Sequence, residues 1–186
     1  MKLRKYVLSS SLCLALVTGS VASVNATPSI SEAKVDRLNE TQNPMTVSKS
    51  SGAPIGVAEP LADSQFRIMS PVNEKEIYSF TFTGVTYSGL QSKTFSSTGK
   101  NIQINSQADA DNYNYASGDY YIELWKKRWF GSDTKGKLKY PFGTQTVYVG
   151  KWSDVGDGDF FFTVWVDSDL PQKIDGAGKV YQNDGW

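Results

Sequence analysis

Regular alternation of apolar and polar residues is the feature that most constrains how this chain can fold. In the stretch EIYSFTFTG, aromatic residues occupy every second position from Tyr78 to Phe82, and serine or threonine residues lie between them. Successive side chains of a β-strand point to opposite faces of a sheet, so this pattern is typical of a strand with one buried face. The stretch therefore predicts a half-buried β-strand.

Further strand-like stretches follow at short spacing, namely KTFSS, KNIQIN, GDYYIELWKK, GTQTVYVGKW, GDFFFTVWVD and GKVYQN. Segments rich in Gly, Asp, Asn and Ser separate several of them, and such residues favour turns. With neither helical periodicity nor strand-helix alternation, about seven or eight strands predict an all-β fold, an antiparallel β-sandwich with Greek-key or jelly-roll-like connections. The predicted core-facing residues are Ile122, Leu124, Val147, Val149, Phe160, Phe162, Val164 and Val166.

Residues 1–26 have the order of features of a secretory signal peptide. The basic stretch MKLRK precedes a short run of apolar and small residues, and Val24-Asn25-Ala26 supplies the small residues of a cleavage site. The run is too short and too rich in serine to span a bilayer stably. The lone cysteine, Cys13, lies in this leader without the neighbours that lipid attachment requires. We therefore expect a secreted, extracellular protein without disulfides, which favours a Gram-positive bacterial origin.

Residues 27–63 differ sharply in composition from the rest of the chain. They contain no aromatic residue and are rich in proline and small polar residues, whereas every aromatic residue after the leader lies from Phe66 onward. Such a composition buries too little apolar area to offset the entropy of ordering the chain. We therefore expect a disordered linker or, alternatively, a pro-segment removed by a cut between Ala58 and Ala62. The β-sandwich domain is expected to occupy residues 64–186.

The faces opposite the predicted core carry unusually many aromatic residues. These outward positions are Tyr121, Glu123, Trp125, Lys127, Trp129, Tyr148, Trp152, Phe161, Thr163 and Trp165. Loops, the other sheet or the segment before Phe66 could cover these rings and create a second core. Left exposed, the rings would form a surface for sugars, membranes or protein partners, because contiguous apolar patches on soluble proteins mark contact sites. Both interpretations fit the sequence.

A basic cluster lies between residues 126 and 139. Six basic residues stand there against Asp133 alone, a local charge of +5; they are Lys126, Lys127, Arg128, Lys135, Lys137 and Lys139. Lysine and arginine beside tryptophan and tyrosine suit anionic lipid headgroups or cell-wall polymers. The alternative is a solvated hairpin whose charges disfavour edge pairing. Nucleic acid is not an expected partner: three of the 19 basic residues lie in the leader, and the remaining 16 against 19 acidic residues give a net charge of −3.

An acidic stretch follows the basic one. Asp154, Asp157 and Asp159 are candidate ligands for calcium, a cation that prefers carboxylate and carbonyl oxygens. Their spacing does not match an EF-hand loop, because glycine occupies the third and fifth positions counted from Asp154. The stretch DVGDG otherwise predicts a glycine-rich hairpin turn between two strands. Apart from calcium at these residues, no cofactor is expected.

Catalysis is constrained by the residue types that are missing. The chain has no histidine and, after the leader, no cysteine, which excludes Ser-His-Asp triads, Cys-His dyads and the usual zinc sites. Two carboxylates can still hydrolyse a glycoside, and Glu123 with Asp159 or Asp167 would be the candidates. An ion pair between Glu123 and Lys127 is the simpler account of that glutamate. We therefore expect a protein that is not an enzyme.

Together these features favour a secreted bacterial, non-enzymatic β-sandwich protein that binds a surface, a glycan or a protein partner. The expected partners are a cell-wall polymer, a glycan, an anionic membrane surface or an extracellular protein. An antimicrobial or toxin-like protein matured by removal of the pro-segment is the first alternative, and an extracellular inhibitor or matrix protein is the second. The candidate binding residues are Tyr121, Trp125, Trp129, Tyr148, Trp152, Trp165, Lys126, Lys127 and Arg128.

Overall fold

The computed structural model describes residues 35–39, 47–61, 74–111, 117–167, 169 and 172–185. Residues 1–26, the predicted signal peptide, lie outside these ranges. Within them every regular element is a β-strand, and no helix long and apolar enough to cross a membrane is found. In chain order the strands are β1 (Asp36–Asn39), β2 (Gly56–Val57), β3 (Glu59–Pro60), β4 (Lys75–Val85), β5 (Leu90–Gln91), β6 (Phe95–Ser97), β7 (Asn101–Ala110), β8 (Gly118–Lys127), β9 (Ser132–Phe142), β10 (Tyr148–Trp152), β11 (Gly158–Val166) and β12 (Ile174–Asn183).

The strands form two sheets that pack against each other, so the predicted all-β sandwich is confirmed. The first sheet has the order β1-β4-β12-β7-β10-β3, and the second has the order β2-β9-β8-β11-β5, with β6 also paired to β11. Most neighbouring strands are antiparallel, as predicted, but β1 runs parallel to β4 and β2 runs parallel to β9. The sheets are therefore mixed rather than purely antiparallel.

Aromatic and aliphatic side chains from the facing sides of the two sheets fill the core. The ring centroids of Phe80 in β4 and Phe162 in β11 lie 4.6 Å apart, and those of Phe82 and Tyr120 lie 6.1 Å apart. Each such side chain contributes about 1.5–3 kcal/mol to folding when it is fully removed from water. The predicted core positions on two strands are confirmed, and all of them are buried: Ile122, Leu124, Phe160, Phe162, Val164 and Val166.

Strand β10 has the opposite orientation from the one predicted. Trp152 is only 2 % exposed and belongs to the core between the sheets, where its indole N–H donates to the Gly136 carbonyl oxygen at 3.0 Å. Tyr148 packs against the same core. Val149 lies on the other face of the strand, and Val147 precedes the strand and is half-buried. The prediction that the valines face the core and the aromatic residues face outward is therefore wrong for β10.

Cross-strand register explains this orientation. Trp152 pairs with Ile102 of β7 and Gly150 pairs with Ile104, and both isoleucines are fully buried between the sheets. The missing side chain at Gly150 leaves room for the hydroxyl of Tyr140, since a Cβ atom there would lie 2.0 Å from it. The aromatic residues take the inward face of β10 because they bury more apolar area than the valines would.

Part of the segment 27–63 forms strands, which differs from the expected disordered linker. We call residues 35–39 and 47–61 the N-terminal arm; it contains β1, β2 and β3, and both Leu38 and Ala58 are buried. The arm needs few large apolar residues, because its backbone hydrogen bonds extend sheets that the rest of the chain already forms. The other residues of this segment lie outside the described ranges.

Candidate surface-binding site

The hairpin that joins β8 to β9 carries the strongest candidate for a binding site. Its tip, residues 128–131, is a tight turn in which the Arg128 N–H donates to the Gly131 carbonyl oxygen at 3.1 Å. Gly131 has a φ of 78°, a left-handed conformation that glycine adopts without strain. The Arg128 Nε atom also donates to Asp133 Oδ2 at 2.5 Å. These contacts fix the shape of the tip.

Trp129 and Phe130 project from this tip into solvent. They are 92 % and 88 % exposed, more than the other large hydrophobic residues in the described part of the chain. Their ring centroids lie 6.3 Å apart and their planes meet at 78°. Two large apolar residues side by side in water forgo the free energy of burial, so such pairs mark contact sites. The sequence prediction includes Trp129 but misses Phe130. Two adjacent aromatic residues followed by glycine within a basic stretch could have indicated an aromatic pair at a turn.

The six basic residues of the predicted cluster divide between two parts of the hairpin. Four lie at or beside the tip and, with Asp133, give it a net charge of +3; they are Lys126, Lys127, Arg128 and Lys135. Neither Lys127 nor Lys135 has an ion-pair partner among the residues that the structure covers. Lys137 and Lys139 lie farther along β9 and are engaged with a backbone carbonyl and an aspartate. Within this cluster, the two lysines whose side chains have neither an ion-pair nor a hydrogen-bond partner in the described part of the chain, Lys127 and Lys135, therefore lie at or beside the tip.

Lys126 connects the hairpin to the acidic turn between β10 and β11. Its Nζ atom donates to the Val155 carbonyl oxygen at 3.1 Å and lies 5.5 Å from the centroid of the Phe160 ring. The acidic turn therefore meets the basic hairpin through a backbone oxygen. Because β10 and β11 belong to different sheets, this turn crosses between the sheets, and the prediction of a hairpin at this position is wrong.

The three aspartates near this turn, the candidate calcium ligands, have separate surroundings. Asp154 pairs with Lys100 Nζ at 2.9 Å, Asp159 accepts the Ser96 hydroxyl at 2.6 Å, and Asp157 is exposed. In the part of the chain that the structure describes, no three carboxylate, histidine or cysteine side chains are grouped so as to hold a metal ion. The geometry therefore lends no support to a calcium site at these residues.

On the outer face of the second sheet, the predicted aromatic residues form two stacked pairs. The ring centroids of Tyr121 and Trp165 lie 5.6 Å apart, and those of Trp125 and Phe161 lie 6.2 Å apart with planes only 4° from parallel. Trp165 and Phe161 are 5 % and 7 % exposed, whereas Tyr121 and Trp125 are half-buried. The Trp125 indole N–H donates to Thr163 Oγ1 at 3.3 Å. These rings are packed together and do not form an open platform.

Residues 47–50, which we call the covering segment, lie across this outer face. The Lys49 Nζ atom is 3.8 Å from the ring centroid of Tyr87 and 5.6 Å from that of Trp165, within the range of cation-π attraction. Burial lowers the pKa of Lys49, and repulsion from Lys137 lowers it further. Of the two interpretations of the outer aromatic residues, the structure shows the second core, closed in part by the N-terminal arm.

Glu123 lies beneath the covering segment and is fully buried. Its Oε2 atom accepts the Ser50 N–H at 3.0 Å, and its Oε1 atom accepts the Thr134 hydroxyl at 2.5 Å. A backbone N–H and a hydroxyl thus take the place of the ion pair with Lys127 that the sequence predicts. The carboxylate anchors the covering segment to the second sheet.

The predicted binding residues therefore fall into separate groups. Lys127, Arg128 and Trp129 are exposed together at the tip, and half-buried Lys126 lies beside them. The two cores hold the others, which are Tyr121, Trp125, Tyr148, Trp152 and Trp165. Comparisons of the chain with protein-family models, with curated proteins and with solved structures find no match.

Proposed function

We propose that this chain is a secreted, non-enzymatic β-sandwich protein of bacterial origin that attaches to an extracellular surface through the tip of the β8–β9 hairpin. The observation that carries the proposal is the pair Trp129 and Phe130, which is almost fully exposed at the end of a structured hairpin. Full burial of two such side chains against a partner is worth about 3–6 kcal/mol of transfer free energy. Solvent alone offers no such gain.

The scaffold supports this role because it presents the tip in one conformation. Strand β8 is paired along its length with β9 on one side and with β11 on the other. The hydrogen bond from Arg128 to Gly131 then closes the turn. Because the tip is already ordered, little conformational entropy is lost when the two aromatic side chains meet a partner.

The N-terminal arm weighs against a toxin-like protein that is matured by a cut between Ala58 and Ala62. Such a cut falls within or beside β3 and would release β1 and β2 from their partner strands. It would also remove Leu38 and Ala58 from buried positions and uncover Trp165. These contacts favour a protein that acts with its arm in place.

The test compares surface binding by the secreted chain and by the double variant W129S/F130S. Cosedimentation with intact Gram-positive cells, with purified cell walls and with lipid vesicles would be measured in parallel. We expect the wild type to bind at least one of these surfaces and the double variant to lose that binding. Since both side chains are solvent-exposed, the thermal unfolding midpoint should stay unchanged.

The matched control is V35S/V57S, which replaces two exposed apolar residues of the N-terminal arm. It should bind as well as the wild type, because neither residue lies on the β8–β9 hairpin. Equal binding by W129S/F130S and by the wild type would refute the proposal. Equal loss in both double variants would also refute it, because the tip would then have no special part.

A further inference from the structure

We infer that the surface is an anionic lipid bilayer and that Trp129 and Phe130 insert into its interfacial region. This inference rests on the proposed function and names the partner of the same hairpin tip. Its premises are the shape of the tip, the chemistry of the two rings and the charge around them. The shape of the tip and the chemistry of its rings favour a lipid surface over sugar and protein partners, and the charge favours a lipid surface that is anionic.

The shape of the tip suits a soft apolar phase better than a rigid ligand. Sites for small ligands are concave, and the aromatic rings in them are held by their neighbours. Here the two rings stand at 78° to each other, so no common flat surface faces a sugar ring. With exposures of 92 % and 88 %, they have almost no contact with walls of a cleft. A bilayer needs no such walls, because lipid chains close around whatever enters.

The two rings also match the depth profile of a membrane interface. Tryptophan is enriched at the level of the headgroups, where its ring meets apolar chains while its N–H remains near water. Phenylalanine has no polar group and gains most from the apolar layer beneath. Trp129 and Phe130 lie next to each other between Arg128 and Gly131, so one short tip can place a tryptophan at the headgroup level and a phenylalanine in the apolar layer.

Positive charge surrounds the apolar tip on both strands. Lys127 is the last residue of β8, and Lys135 lies near the start of β9; neither has an ion-pair partner in the described part of the chain. Lys126 is occupied with the carbonyl of Val155, and Arg128 is paired with Asp133. Each basic residue close to an anionic membrane surface adds about 1 kcal/mol of attraction. The free lysines therefore favour phosphate headgroups that carry net negative charge.

The first experiment measures binding of the secreted chain to vesicles of phosphatidylcholine with and without phosphatidylglycerol. We expect clear binding only when phosphatidylglycerol is present, and weaker binding as salt is raised, because ions screen the lysines from the lipid. The variant K127Q/K135Q removes two favourable charges and should bind about 30-fold more weakly at low salt. The variant W129S/F130S should lose binding at every salt concentration.

The second experiment distinguishes insertion from adsorption. In the variant W129F both tip residues remain aromatic, so vesicle binding should persist. The blue shift of tryptophan emission on vesicle binding should disappear, because Trp129 is the tryptophan that enters the bilayer. Vesicle binding by the wild type without a blue shift, or a blue shift of equal size in the wild type and W129F, would show that Trp129 does not enter the lipid and would overturn the inference.

Failure of this inference can be told apart from failure of the proposed function. If the secreted chain binds cell walls through Trp129 and Phe130 but ignores anionic vesicles, the lipid inference is wrong and tip-mediated attachment stands. If W129S/F130S binds vesicles as tightly as the wild type, the lipid inference is wrong as well. If the chain binds neither cells, cell walls nor vesicles, both proposals fall.

Discussion

Ser50 and Glu123 lie 73 positions apart in the chain, yet the backbone N–H of the first donates to the buried carboxylate of the second at 3.0 Å. The carbonyl of the same serine accepts a hydrogen bond from Lys137 Nζ at 3.0 Å. Lys137 is the cross-strand neighbour of Glu123. One residue of the covering segment thus satisfies both members of a Glu-Lys pair with its backbone, which explains how a segment without aromatic residues holds to an aromatic face.

Replacing Glu123 with alanine should destabilise the protein by about 1–3 kcal/mol, because the Ser50 N–H and the Thr134 hydroxyl then lose their acceptor. Urea denaturation at neutral pH would measure the change in the free energy of unfolding. Asp157→Ala is the control, since this exposed carboxylate should change that free energy by no more than about 0.5 kcal/mol. Equal effects of the two substitutions would contradict the role assigned to Glu123.

Replacing Ser50 with proline should loosen the covering segment, because proline has no N–H to donate to Glu123. We expect a loss of about 1–3 kcal/mol in the free energy of unfolding. Tryptophan emission should shift to the red, because Trp165 gains contact with water. Ser50→Ala keeps the backbone N–H and should behave like the wild type in both measurements. A proline variant indistinguishable from the alanine variant would show that the hydrogen bond does not hold the segment.

Replacement by alanine should cost much stability at Trp152 and almost none at Trp129, although the sequence places both tryptophans on outward faces. Trp152 is buried between the sheets, so Trp152→Ala leaves a cavity and should cost about 3–5 kcal/mol. Trp129 is exposed, so Trp129→Ala should alter the free energy of unfolding by less than about 0.5 kcal/mol. Thermal and urea unfolding of both variants would check this contrast. A large loss for Trp129→Ala would mean that the tip is packed against other residues.

Asp36 should make the stability of the protein depend on acidity. Burial raises the pKa of this carboxyl, but hydrogen bonds from Lys93 and Tyr78 outweigh burial and lower the pKa below its ordinary value. The stabilising contribution is therefore fully present above the unfolded-state value of about 4 and is lost as the pH falls through the lower folded-state value. Asp36→Asn should destabilise by about 1–3 kcal/mol at neutral pH.

The difference between the Asp36→Asn variant and the wild type should shrink as the solution becomes acidic, because the wild-type carboxyl then also becomes neutral. Urea titrations at several pH values would show this convergence. A constant difference between the two proteins at all pH values would indicate that the charge of Asp36 is not involved. Asp157→Asn, at an exposed position, should show neither effect.

The long strands of the second sheet could be predicted from the sequence because their apolar and polar residues alternate consistently over many positions. On β8 and β11 aliphatic or phenylalanine side chains occupy every second position. The pattern therefore predicts the inward residues, which are Ile122 and Leu124 on β8 and Phe160, Phe162, Val164 and Val166 on β11. On the short strand β10 the pattern conflicts, because Val149, together with Val147 just before the strand, has one parity and Tyr148 and Trp152 have the other. Register with β7 decides that conflict, and register is a long-range property that a local pattern does not contain.

The N-terminal arm escaped prediction for a related reason. Strands β1, β2 and β3 are two to four residues long, too short for alternation to be visible. These strands are stabilised by backbone hydrogen bonds to longer strands and by single buried side chains such as Leu38. The overall composition of residues 27–63 does not reveal either contribution. At the candidate site, the charge and one aromatic residue of the tip were predictable. The exposure of Trp129 and the burial of Trp152 were not predictable, because both tryptophans occupy outward positions in the local alternation pattern.

The position of the arm in the sheet order has a consequence for how the protein behaves at high concentration. A sheet has two outer strands, whose free N–H and C=O groups can recruit another chain. Strands β1 and β3 are the outer strands of the first sheet, and β2 is an outer strand of the second. Strand β3 ends in Pro60, which has no N–H to offer a newcomer. Removal of the arm would uncover the edges of β4, β10 and β9, so we expect a chain without it to self-associate more readily than the intact chain.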